Sequence, residues 1–123
     1  MTMKLNLVSI EREGYVRVAS DGNITAGDFT PEAKNPMENL LGANWASQRV
    51  LLNLDQTSYI DSSAIGWLIQ CQKEFKAKGG GMVVHNVRPG VRQMLELLKI
   101  GRIVPMADSE QAAKSMLLNG GAK

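Results

Sequence analysis

The chain has 123 residues, enough to bury one core in a single domain, residues 1–123, and too few for two. Hydrophobic residues at 44% and charged residues at 21% are ordinary for a globular protein, and a net charge of +2 from scattered Lys and Arg argues against a nucleic-acid partner. MTMKLNLVSI lacks the apolar core of a secretory leader, no run is long enough to span a bilayer, and the lone Cys71 has no disulfide partner, so a cytoplasmic protein with no membrane association is expected.

Taken in order, Leu5–Glu11 and Tyr15–Ser20 read as a hairpin joined by Arg12-Glu13-Gly14, with Val16 and Val18 on one face and Tyr15, Arg17 and Ala19 on the other. Asn23–Lys34 shows no periodicity and reads as loop with at most a turn of helix. Asn35-Pro36-Met37-Glu38 carries an N-cap, a first-position proline and a capping-box glutamate, which predicts a short helix over Pro36–Leu41 ending at Gly42. The whole segment Asn23–Gln48 is expected to be the least regular and most mobile part, and Met37 and Trp45 within it are ambiguous between core and surface.

Val50–Leu54 is apolar almost throughout and predicts a strand covered on both faces. A polar turn, Asp55–Ser58, leads into Asp61-Ser62-Ser63, which opens a helix over Ser62–Lys78 with Ala64, Ile65, Leu68, Cys71 and Phe75 inward and Gln70, Lys73 and Glu74 outward. Gly79-Gly80-Gly81 stops that helix. Met82–Val87 predicts a second buried strand, and Pro89 opens a helix with Val91, Met94, Leu95 and Leu98 at core spacing. Arg102–Met106 reads as an edge strand because Pro105 cannot donate to a ladder. Asp108 with Gln111 forms a capping-box pattern before a last helix whose Ala112, Ala113, Met116 and Leu117 share a face, ended by Asn119-Gly120-Gly121. Alternating strands and helices after a hairpin predict an α/β fold, a mixed sheet with helices packed against it.

The sequence YIDSSAIGWL, with the strand before it and the GGGMVV strand and proline-started helix after it, resembles the Asp-Ser-Ser-Gly-Leu-Gly signature of STAS domains, the bacterial anti-sigma factor antagonists. The resemblance runs from about Val50 to the last helix and is weakest over Asn23–Gln48, where prolines and Gly42 interrupt the amphipathic helix usual in the family. It implies the STAS-like mixed sheet and phosphorylation of the second serine, Ser63. It also implies an anti-sigma factor with serine kinase activity that binds the unphosphorylated form, and a serine phosphatase that resets the cycle. Ala64 stands where the signature has its first glycine, which favours the helix and leaves the backbone beside the serine less open.

Each candidate residue has a plainer reading. Ser62 and Ser63 at a helix start are favoured caps, and Asp61, which in the family supports phosphorylation of the serine, is an equally good one. Trp67, at the edge of the apolar arc, reads as core or as an interface anchor, and stands with Asp61, Ser62 and Ser63 among the candidate partner-binding residues. Ser63, His85 and Asp61 contain the elements of a hydrolytic triad, but no Gly-x-Ser-x-Gly elbow surrounds the serine, so no catalytic residue is assigned and the chain reads as a non-enzyme. Cys71 has no Cys or His at metal-ligand spacing, and Gly79–Gly81 has no Lys-Ser or Lys-Thr after it, so neither a metal nor a cofactor is expected. The alternative to the phosphorylation switch is a STAS scaffold or ligand-sensing module in which the serines only cap the helix.

Overall fold

The structure is a computed structural model that describes residues 3–29 and 34–118. Its frame is one sheet in the spatial order β1-β2-β3-β4-β5, formed by β1 (Lys4–Glu11), β2 (Tyr15–Asp21), β3 (Arg49–Gln56), β4 (Gly81–His85) and β5 (Met106–Ala107). The hairpin β1–β2 is antiparallel and every later pairing is parallel. Parallel neighbours need crossovers, and the chain supplies them with α1 (Pro36–Leu41), α2 (Ser62–Lys78) and α3 (Pro89–Leu97), before α4 (Glu110–Leu118) follows β5.

The pleat sorts the core into two layers. Val16, Val18, Val50, Leu52, Leu54, Met82 and Val84 project to the side covered by α1, α2 and α3, where they meet Met37, Leu68, Cys71, Phe75 and Leu95. Leu51 and Val83 project the other way and, with Tyr15, are covered by Ala113 and Leu117 of α4. Both faces of β3 are therefore buried, as its continuous apolar run predicts. The irregular 23–48 segment holds only a short helix and two single 3-10 turns, Ala26–Asp28 and Trp45–Ser47. It nonetheless contributes Ile24, Met37 and Trp45 to the core, with Trp45 edge-on to Phe75 at 5.2 Å. Pro31 lies outside the described residues, as does the Asn119-Gly120-Gly121 stop.

Several predicted boundaries are corrected. The predicted strand Arg102–Met106 is instead a 3-10 turn, Ile100–Arg102, followed by the two-residue strand Met106–Ala107, because Lys99 enters the left-handed region at φ 56° and redirects the chain. Pro105 still serves the sheet edge with its carbonyl, which accepts the Val84 N–H at 2.9 Å. β4 stops at His85 rather than Val87, since Asn86 has φ 56°. The cap of α4 is Ser109, whose Oγ accepts the Ala112 N–H at 3.1 Å, and not Asp108, whose carboxylate is taken by Arg92. Leu98 and Ala112 are exposed rather than core. Gly81 is the first residue of β4 and not part of the helix stop.

That stop is made by two glycines with different duties. Gly79 closes α2 at φ 84°, and its N–H and that of Gly80 both bond the Phe75 carbonyl. Gly80 passes so close to the carbonyl oxygens of Ala46 and Gln48 that a Cβ there would overlap both. Gly80→Ala is therefore expected to lower unfolding stability in urea by about 1–3 kcal/mol. Gly66→Ala, at an open helical position, should raise it by up to about 1 kcal/mol. Equal midpoints for the two variants would remove the close-approach explanation.

Candidate functional site

The first turn of α2 is built by one carboxylate. Asp61 has the extended backbone of an N-cap, and its Oδ1 accepts the N–H groups of Ser63 at 2.9 Å and Ala64 at 3.1 Å. Its Oδ2 accepts the Ala26 N–H at 3.0 Å, so the same side chain fastens the turn after β2 to the helix start. Backbone bonds complete the junction: Ile24 N–H to the Tyr59 carbonyl at 3.1 Å and Asp61 N–H to the Ile24 carbonyl at 3.2 Å, an isolated parallel bridge between Ile24 and Ile60. Ile24 and Ile60 are both buried beneath it, and Ser58 Oγ donates to Asn23 Oδ1 at 3.1 Å on the outside.

Because Asp61 does the capping, the serines do not. Ser62 is exposed and Ser63 half-buried, and neither hydroxyl takes a hydrogen bond among the described residues. This corrects the reading of Ser62 and Ser63 as a cap pair. Both hydroxyls sit at a helix N-terminus, where the macrodipole favours added negative charge, while the adjacent Asp61 carboxylate, which already holds the Ser63 and Ala64 N–H groups, opposes it. Ala64, in place of a glycine, is fully buried, so its methyl group fills core and its N–H is already taken by Asp61.

Trp67 lies one turn further along and is 6% exposed. Its indole N–H donates to Asn35 Oδ1 at 3.0 Å and its ring stacks on Phe29 at 5.6 Å, so it belongs to the core layer under the site rather than to the open surface. Asn35 is the residue that sequence reading undervalued. Its Oδ1 also accepts the Met37 N–H at 2.9 Å as the cap of α1, and its side chain contacts Cys71 Sγ, with Nδ2 at 3.6 Å. Asn35 thus joins α1 to α2. Tyr59, the first residue of the YIDSSAIGWL stretch, is 51% exposed beside the helix start.

His85 is buried on β4 and, two residues from Val83, projects to the α4 side of the sheet, where its Nδ1 is paired with Asn86 Oδ1. Ser63 opens a helix on the opposite side, so the Ser63–His85–Asp61 triad does not assemble. Burial pushes the Cys71 thiol up to about 12, with the Asn35 hydrogen bond opposing the rise and Glu74 adding to it.

Residues 8–113 match the family model of the STAS domain. The chain belongs to the STAS domain family. An anti-sigma F factor antagonist from Paenibacillus polymyxa is 31% identical over 70 residues, covering 57% of this chain and 60% of that protein. This STAS chain thus matches less than two thirds of that relative's length. Among solved structures, an anti-sigma factor antagonist from Mycobacterium paratuberculosis has a TM-score of 0.64 at 16% identity, over 93% of this chain and 94% of that one. SpoIIAA in its unphosphorylated form has a TM-score of 0.59 at 17% identity, over 95% and 99%. These likenesses establish the STAS fold. No helix among the described residues is long and apolar enough to cross a membrane.

Two outcomes follow for this STAS domain. Asp61→Ala is expected to cost about 1–2 kcal/mol in urea unfolding, whereas Ser63→Ala should stay within about 0.5 kcal/mol of wild type. A larger loss for the serine would return the capping role to it. Cys71 should resist a soluble thiol reagent at neutral pH until the chain unfolds. An unfolded thiol ionises near its ordinary 9.0 while the folded one holds its proton to about 12, so the burial lowers stability as pH rises through that window. Rapid modification of native protein would contradict the burial.

Proposed function

We propose that the chain is an anti-sigma factor antagonist, a phosphorylation-gated binding protein whose unphosphorylated form engages an anti-sigma factor with serine kinase activity. The observation that carries the reading is the division of labour at α2: Asp61 holds the helix start, leaving Ser63 with a hydroxyl free of structural duty. Exposure alone favours Ser62; the Asp-Ser-Ser motif of the family selects Ser63. The name of the Paenibacillus polymyxa relative, anti-sigma F factor antagonist, supports the antagonist reading, and Bacillus SpoIIAA, of like fold at a TM-score of 0.58, is described in a phosphorylated form.

The gate is electrostatic. A phosphate at Ser63 adds about −1.5 to −2 charges next to the Asp61 carboxylate. The helix macrodipole moderates that charge only in part, since Asp61 already holds the Ser63 and Ala64 N–H groups, so the change falls on whatever partner covers Asp61, Ser62 and Ser63, with Trp67 supporting them from below. Burying a dianion without a matching cation costs binding. A serine phosphatase would restore the binding form. Work in the cytoplasm, where such kinases and sigma factors operate, completes the reading.

Titration of one cognate kinase-type partner with wild type, Ser63→Ala, Ser63→Asp and the phosphoprotein tests the gate. Wild type and Ser63→Ala should bind alike, the phosphoprotein should bind least, and Ser63→Asp should fall between them because a carboxylate has less charge and fewer acceptor oxygens. Mass spectrometry after incubation with that kinase and ATP should place the phosphate on Ser63. Phosphate on Ser62, or equal affinity of all four forms, would reject the assignment, the latter in favour of a scaffold or ligand-sensing role.

A further inference from the structure

β1 is the outermost strand of the sheet, with β2 on one side and no strand on the other among the described residues. Edges of this kind present unpaired N–H and C=O groups and are usually blunted or covered. This one has a register shift and a charge at each end, and between them it exposes apolar side chains: Leu7 at 39%, Val8 at 50% and Ile10 at 75%. Their arrangement has a symmetry that a random edge lacks. Pairing Leu5 with Ser20, Leu7 with Val18 and Ile10 with Val16 puts Leu5, Leu7 and Ile10 on the α1 and α2 side of the sheet. Lys4, Asn6, Ser9 and Glu11 project to the other side, and the register shift between Leu7 and Ser9 leaves Val8 unpaired at the centre of the strand.

The shift reverses the phase of the alternation at mid-strand, so the polarity of KLNLVSIE reads alike from both ends: polar, apolar, polar, apolar, then apolar, polar, apolar, polar. We infer that β1 is a self-complementary edge that pairs antiparallel with β1 of a second copy of this chain about a two-fold axis between Leu7 and Val8. In that register Leu7 meets Val8 at the axis, while Leu5 meets Ile10 and Asn6 meets Ser9, each of these on the matching face. Lys4 meets Glu11 at both ends. An isologous contact uses every complementary pair twice, so the opposite charges at the two ends of β1 select a second copy over an unrelated strand. A groove of about 280 Å³ lined by Met3, Lys4, Leu5, Pro36, Asn39 and Leu40 adjoins Leu5, the residue that Ile10 of the second copy meets in this register. The product is one continuous ten-stranded sheet, and nothing in it depends on the reading of Ser63.

Sedimentation velocity on the full chain, from about 1 μM to about 1 mM, reads the association constant. Wild type should show a monomer–dimer equilibrium. Ile10→Asp, Lys4→Glu and Glu11→Lys should each weaken it about tenfold or more, because each places charge against an apolar or like-charged neighbour twice per dimer. The double variant Lys4→Glu with Glu11→Lys should recover to within about threefold of wild type, an outcome that general stickiness would not produce. Thermal unfolding of each variant checks that the monomer still folds. For wild type alone, amide exchange in β1 should slow with rising protein concentration. A monomer across the whole range, a dimer indifferent to Ile10→Asp, or a double variant as weak as the single ones would overturn the inference.

Discussion

The site depends on the Asp61 carboxylate. One side chain occupies three backbone N–H groups, two in the first turn of α2 and one at Ala26, while its own N–H is taken by Ile24. Helix starts leave several donors without intrahelical partners, and a negative charge is the strongest single acceptor that can meet them. Because the same carboxylate also reaches across to the turn after β2, the position of α2 and the position of the 23–29 segment are coupled. The serines inherit a rigid platform they do not have to maintain.

Around that junction, packing and not ion pairing carries the fold. The sheet is sealed on one side by α2 and its neighbours and on the other by α4, and the fully buried residues are almost all apolar. The pairs Arg17 with Glu110 and Lys114 with Glu13 tie α4 to the hairpin, but both are partly exposed, where such pairs contribute little. Their value is positional. They hold α4 over Tyr15, with Lys114 Nζ 5.8 Å from the ring centre.

Local chemistry made much of this legible. Asp61-Ser62-Ser63 and Gly79 bracket α2 at the residues observed, Asn35-Pro36 starts α1, and the unbroken apolar run of β3 announced burial on both faces. What could not be read depends on contacts between residues distant in the chain. Ile103, Val104 and Met106 have the composition of a strand, and only the left-handed Lys99 turns the chain away before β5. Asp108 and Ser109 are equivalent caps on paper, and the choice falls to Ser109 once Arg92 has taken Asp108. Asn35 lies 32 residues from Trp67 and 36 from Cys71, so its role as a joint between helices has no local signature. The serines' freedom was likewise hidden, since a sequence shows three possible caps and not which one is used.

Both ends of α2 are covered by an indole. Trp67 rests on Phe29 one turn from the serines, and Trp45 stands edge-on to Phe75 near the far end. The two rings differ in surroundings: one donates its N–H to an amide oxygen, and the other lies in the apolar layer against a phenyl ring. The molecule thus carries two intrinsic fluorophores in unlike surroundings, one within about a turn of the α2 N-terminus and the other packed near its far end. A change of charge at the helix start would act more strongly on the nearer ring than on the farther one, so the two report on opposite ends of the same helix without a label.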